Sequence, residues 1–265
     1  MELKEKYTID DLIAIMERLR QPDGCPWDKV QTHQSIKKSM IEETYEAIDA
    51  LDAKDDAMFA NELGDVLMQI AFHSVLAEER SAFVFDDVVY EICNKLITRH
   101  THVFGEDKTS SQEEALAVWE RNKKVEKGLK TDTVSLRDVP HSLPALMRAE
   151  KVQKKAARVG FDWDSIDGAF EKLYEECDEV KEALASKDAD KIEDEIGDLL
   201  FAAVNVSRFA GVCAETSLSR ATAKFINRFA EMEALATEKN TKLSDLSLEE
   251  LENLWQIAKK SPKNS

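Results

Sequence analysis

The chain has 265 residues, of which 34% are charged and 43% hydrophobic, and only 8 Gly and 5 Pro punctuate it. Its 53 Asp and Glu against 36 Lys and Arg leave a formal charge of −17, which excludes the basic surface that holds phosphate backbones and makes a nucleic-acid partner unexpected. Long windows of helix formers exclude a strand-rich fold, and no apolar run reaches the roughly 18 residues of a membrane span, so an all-α cytoplasmic protein without a membrane partner is expected.

In chain order, the opening MELKEKYTIDD is charged and lacks an apolar signal core. Leu12, Ile15, Met16 and Leu19 then recur at helical spacing. A G-x-x-W-D motif runs from Gly24 to Asp28, an EExxE from Glu42 to Glu46, and an ELGD from Glu62 to Asp65. K-x-x-x-R follows at Lys95 and Arg99, and a capping box at Ser111 and Glu114 precedes Trp119 and Lys123. From 128 to 144 the helical period lapses among Gly128, Thr131, Thr133, Ser135, Pro140 and Pro144, which reads as a linker.

The series then repeats: Gly160 to Asp164, Glu175 to Glu179, Glu195 to Asp198, Lys224 with Arg228, and Ser247 and Glu250 before Trp255 and Lys259. Leu199, Ala202, Ala203 and Val206 carry the helical period through this half. The offsets between copies are 136, 133, 129 and again 136, so insertions fall between elements. The chain is therefore read as a tandem duplication, with domains 1–127 and 145–265 joined by linker 128–144. Cys25, Cys93, Cys177 and Cys213 form no CxxC and no metal-spaced cluster with the five His, so buried free thiols are expected.

The acids carry the chemistry. Helical spacing puts Glu176 on the face of Leu173, Val180, Ala183 and Leu184, and Glu43 on that of Met40, Ala47, Ala50 and Leu51. Glu179 lies one turn from Glu176, and Asp198 one turn from Glu195, so two helical hairpins can each aim four carboxylates at one interior point. Such a cluster is costly without a counter-ion. An all-oxygen site suits a hard cation, Mg²⁺ first and Mn²⁺ as a substitute.

The order G-x-x-W-D, EExxE, ExGD, KxxxR and WxxxK, found twice, resembles the MazG family of nucleoside triphosphate pyrophosphohydrolases over nearly the whole chain. The resemblance implies an all-α, four-helix-type fold, a homodimer, and Mg²⁺-dependent cleavage of a nucleoside triphosphate to monophosphate and pyrophosphate, in nucleotide-pool sanitation or nucleotide signalling. By motif position it implies Glu176, Glu179, Glu195 and Asp198 as metal ligands, with Glu43, Glu46, Glu62 and Asp65 as their first-copy counterparts. Glu175 is a candidate for positioning water. Lys172, Lys191, Lys224 and Arg228 are assigned to substrate phosphates, Trp255 to the nucleoside, and Asp194 and Lys259 to substrate binding, while Trp27 and Trp163 read as structural.

At the 133-residue offset Lys191 matches Met58 and Asn205 matches Phe72, so the second copy is the more complete. Three other classes were weighed. An aspartate-rich prenyl synthase leaves the duplication unexplained, and a di-iron bundle lacks its Glu-x-x-His pairs. A non-catalytic helical nucleotide- or partner-binding module is the remaining alternative.

Overall fold

The structure, a computed structural model, describes residues 3–260. Among these the regular elements are twelve α-helices and two 3₁₀ turns, with no strand. The chain divides into two compact units between Lys123 and Lys124.

In the first unit α1 (Ile9–Arg20) opens on a Thr8–Asp11 capping box. It is followed by α2 (Lys37–Ala53), α3 (Asp56–Glu78), α4 (Phe85–Arg99), the single turn α5 (Thr101–Phe104), and α6 (Gln112–Glu126), within which the division falls. The core between α1 and α3 is Met16, Ala71, Phe72, Val75 and Leu76, closed by Ile36.

The second unit repeats this plan. Its elements are α7 (Asp132–Arg137), α8 (Ala145–Ala157), α9 (Ile166–Ser186), α10 (Ala189–Phe209), α11 (Ala214–Glu238) and α12 (Leu248–Lys259). Here α8 packs on α10 as α1 does on α3, and α11 and α12 enclose Met232, Ala236, Leu254 and Ala258. The segment 128–144, expected as a linker, lies in this unit and holds α7. The Lys155 ammonium donates to the Ser135 carbonyl at 2.6 Å, a tertiary contact that overrides the weak local propensity. The cysteines are free as expected, but none is buried, and Cys93 is exposed. No single helix among the described residues is long and apolar enough to cross a membrane.

Each unit is organised by a helical hairpin, α2–α3 and α9–α10, whose turn is only two residues long. Lys54 (φ 57°) and Lys187 (φ 60°) end the first helix in the left-handed region. Asp55 and Asp188 then cap the next helix, their side chains accepting from Ala57 and Met58 and from Asp190 and Lys191. Both turns obey the 133-residue offset.

The acids are mirror-symmetric about these lysines. Glu46 and Glu62 lie eight residues to either side of Lys54, and Glu43 and Asp65 eleven. Glu179 and Glu195 flank Lys187 by eight, Glu176 and Asp198 by eleven. Equal rise on antiparallel helices makes each pair level. Among the buried residues of the hairpin helices are several alanines, Ala47 and Ala50 on α2 and Ala169, Ala183 and Ala202 on α9 and α10.

A left-handed lysine costs about 1 kcal/mol relative to glycine, and an Asp cap contributes a similar amount. Lys187→Gly is therefore expected to raise stability by about 1 kcal/mol and Asp188→Ala to lower it by about 1 kcal/mol. Urea titration of both variants checks the pair of signs.

Candidate active site

In the second unit Glu176 is 4% exposed on α9, with the buried Val180 and Ala183 one and two turns further on. One oxygen of each of Glu176, Glu179 and Glu195 lies within 4.8 Å of the others. Asp198, level with Glu176 across the hairpin, is exposed and lines a cavity of about 660 Å³ together with Glu176 and Lys172. The Lys172 ammonium contacts Glu176 at 2.7 Å and Glu175 at 3.0 Å, which holds its own pKa well above the usual lysine range. Glu176 Oε2 is buried and has no hydrogen-bond partner among the described residues. The Glu179 carboxyl is pushed up, first by its hydrogen bond to Glu176, then by burial and by the charges of Glu176 and Glu195, with Lys172 opposing.

The first unit gathers Glu43, Glu62 and Asp65 in the same way. Glu46 is exposed and outside that group. At the 133-residue offset Ser39 stands where Lys172 does, so this cluster has no matching ammonium from α2. The Glu43 carboxyl is pushed up, first by burial and then by Asp65, Glu46 and Glu62. Asn61 reaches toward Glu62 and Asp65 at 3.4 Å each, where the second copy has the exposed Asp194. Three convergent oxygens with a buried orphan among them fit a hard cation, since each could become a ligand and lose its repulsion.

The basic and aromatic candidates fall elsewhere. Lys191 is exposed in the first turn of α10. Arg228 lies over the Trp255 ring at 5.7 Å, and Trp255 is tilted against Phe225 at 5.1 Å while packing on the α11–α12 core. Lys224 and Lys259 are exposed on the same two helices. Lys191, Lys224, Arg228, Trp255 and Lys259 are not among the residues lining the cavity beside Glu176. The first unit has the same arrangement, with Arg99 over Trp119 at 5.5 Å and the Lys123 ammonium over that ring at 4.7 Å. The Arg of KxxxR thus packs on the Trp of WxxxK in both copies.

Trp163, read as structural, is 45% exposed and forms part of the cavity wall. Its ring lies on Gly168, where a Cβ would approach it to 3.0 Å. Gln153, also on the wall, escaped notice because it sits among Lys151, Lys154 and Lys155 on α8, and only tertiary packing buries it.

A duplicated helical scaffold with a carboxylate cluster in each hairpin defines an all-α tandem-repeat protein with a candidate acidic cation site in each repeat. The model of the MazG nucleotide pyrophosphohydrolase domain matches residues 31–104 and again 165–232, the two hairpins with the helices that follow them. The chain is 45% identical to the nucleoside triphosphate pyrophosphohydrolase/pyrophosphatase MazG of Thermotoga maritima, over 94% of this chain and 95% of that protein. It is 44% identical to the nucleoside triphosphate pyrophosphohydrolase of Escherichia coli K12, over 95% and 97%. It is also 43% identical to the uncharacterized protein YabN of Bacillus subtilis, over 95% of this chain and 52% of that protein. The chain belongs to the MazG nucleotide pyrophosphohydrolase family and is an enzyme of that class.

Raised carboxyl pKa values mean that the metal-free fold gains from protonation. That gain is fully present below the ordinary value of 4.5 and is lost as pH rises through the raised value of Glu179. Glu179→Gln keeps a donor toward Glu176 without the charge. In chelator, the variant is expected to unfold at a higher temperature than the parent at pH 7.5, the difference shrinking as pH falls toward 4.5. Thermal scans at three pH values measure this.

Proposed function

We propose that the chain hydrolyses nucleoside triphosphates between the α and β phosphates, giving a nucleoside monophosphate and pyrophosphate, and that the second unit carries most of the turnover. The observation behind this reading is the buried Glu176 cluster opening onto a cavity beside Lys172. Glu176, Glu179, Glu195 and Asp198 would hold Mg²⁺, or Mn²⁺ in its place, and Glu43, Glu46, Glu62 and Asp65 are the corresponding set in the first unit. Such an ion, when bound, neutralises phosphate oxygens and lowers the pKa of a coordinated water.

The chain's own groups do the rest. Lys172 presents an ammonium at the cavity, where negative charge gathers on the phosphates. Glu175, exposed and held by Lys172 at 3.0 Å, is the residue proposed to orient water and take its proton. Lys191, about one turn before Glu195 on α10, and the exposed Lys224 are proposed outer contacts of the polyphosphate, and Asp194 and Lys259 are proposed substrate contacts. Arg228 is held by Trp255, and the nucleoside role proposed for Trp255 from motif position gains no support from its packing.

The inequality of the units rests on three substitutions between copies: Ser39 for Lys172, Met58 for Lys191 and Phe72 for Asn205. A homodimer is proposed because Tyr174, Leu200, Phe225, Ile226 and Phe229 are exposed on α9, α10 and α11, more apolar surface than a monomer usually leaves open. A cytoplasmic location is proposed with it.

Incubation with ATP and Mg²⁺ is expected to yield AMP and pyrophosphate, and release of ADP and orthophosphate would exclude the mechanism. Glu176→Gln should lower kcat by about 10²-fold or more, and Glu43→Gln by only about threefold or less. If Glu43→Gln proves the more damaging across several triphosphates, the first unit is the main enzyme.

A further inference from the structure

The first hairpin is fixed at its turn by Lys54 and Asp55, and two histidines meet across its open end. His33 lies 21 residues before Lys54, in the loop that leads to α2, and His73 lies 19 residues after it, on α3. Their Nδ1 atoms are 2.8 Å apart, the ring centres 5.2 Å apart, and the ring planes within 5° of each other. The centre separation is thus the N···N distance plus two ring radii, so both nitrogens lie on the line between two coplanar rings. That is the geometry of one imidazole donating to another. A shared metal ion does not fit it, since a metal in line, at about 2 Å from each nitrogen, would hold them about 4 Å apart.

The bond limits how many protons the pair can carry. A neutral pair has two N–H protons on four nitrogens. His33 Nε2 is buried with no hydrogen-bond partner among the described residues. The least costly arrangement leaves that atom bare, with His33 Nδ1 donating to His73 Nδ1 and the other proton on His73 Nε2. A third proton then has two places to go. On His73 Nδ1 it sets two donors against each other and breaks the bond, and on His33 Nε2 it buries a charged N–H without an acceptor. In keeping with this, the His73 pKa lies below its usual 6.5, first because of burial and then because of charge on His33. Such a group supports the closed fold fully above 6.5 and progressively less as pH falls below it.

Charged groups on the surrounding elements have partners of their own. Arg20 of α1 pairs with Glu79 of α3 and donates to the carbonyls of Asp28 and Gln31. In the loop Lys29 donates to the Pro22 carbonyl, at the start of α2 Lys38 pairs with Glu42, and on α4 Lys95 pairs with Glu91. Asp28 is half-buried, while Glu17, Lys37, Glu78 and Asp86 are exposed to solvent.

What the bond holds is the lead into α2. Ile36, three residues after His33, is 2% exposed and closes the α1–α3 core, and Glu43 follows about two turns later. His73 stands about two turns beyond Asp65, the acid level with Glu43. The second unit has no such pair. At the 133-residue offset Ile166 and Val206 take the two places, and no histidine follows His141. Its loop is tied to α10 by the ion pair of Arg208 with Asp162 instead.

We propose that the His33–His73 contact is a proton-operated latch on the first unit alone, which closes the open end of the hairpin at neutral pH and releases it on acidification, an inference that rests on cation binding by Glu43, Glu62 and Asp65. Release frees the lead into α2, and Glu43 is then no longer held against the two acids of α3.

The test uses the full chain carrying Glu176→Gln and Asp198→Asn to disable the second cluster, with Mn²⁺ binding read from the resonance of the free ion. His33→Asn is the informative change, because an amide can donate to neutral His73 or, flipped, accept from its protonated form, and so keeps the bond in both states. Between about pH 7.5 and about pH 5.5 the parent background is expected to lose about fivefold more Mn²⁺ affinity than His33→Asn. The carboxylates weaken on acidification in both, so only the difference counts. His73→Leu, which cannot make the bond, should bind weakly at both pH values. Equal losses in the parent and His33→Asn, or parent-like affinity for His73→Leu at the higher pH, overturn the proposal. Should the background bind no Mn²⁺ at the higher pH, the cation reading of the first cluster fails, and the latch is judged on the metal-free chain. There the Ile36 amide, corrected for its intrinsic rate, should exchange about tenfold faster at the lower pH in the parent and not in His33→Asn. No such acceleration in the parent sinks the latch itself.

Discussion

A two-residue turn governs the geometry of everything chemical in this chain. By forcing one lysine into the left-handed region and giving the next helix an aspartate cap, it fixes the rotation and height at which α10 leaves α9. Glu179 and Glu195, at equal distances from Lys187, then come together with Glu176 across the hairpin. Each extra residue in the turn would rotate the second helix by about 100° and lift it by about 1.5 Å, parting the level pairs. The drift in offset between the copies, from 136 to 133 to 129, falls outside the hairpins, where it leaves the pairs undisturbed.

The cost of the arrangement is electrostatic. The hydrogen bond to Glu176, burial and neighbouring like charges push up Glu179, burial and then neighbouring like charges push up Glu43, and Lys172 supplies the second unit with a nearby cation. The first unit, with Ser39 in that place, keeps the acids without this relief. Conservation of the quartet in both copies alongside loss of its surroundings in one separates two demands on the sequence, holding acids together and holding a substrate over them.

Much of this was legible in the residues. The duplication, the helical class and the inward placement of Glu176 follow from spacing alone, because helix geometry converts register into direction without knowledge of the partner. The mirror relation between the acids needed the turn, whose left-handed lysines carry no glycine signal. The segment 128–144 looked like a linker because a six-residue helix has almost no periodicity to show, and its structure comes from α8. Trp255 was drawn toward the substrate by motif position, while its actual neighbours, Phe225 and Arg228, lie some thirty residues away in sequence. Gln153 is the reverse case: a polar residue on a lysine-rich helix looks solvent-exposed until the opposite helix covers it.

The buried alanines have a consequence for how the protein holds itself together. Alanines are among the residues the hairpin helices bury, while larger apolar side chains of the same helices, Tyr174 and Leu200 among them, are exposed. A domain built like this encloses little oily volume of its own and keeps much of its hydrophobic free energy on the outside. A partner that covered that surface would enter the folding equilibrium, and mass action would then tie resistance to heat and denaturant to how much of that partner is present.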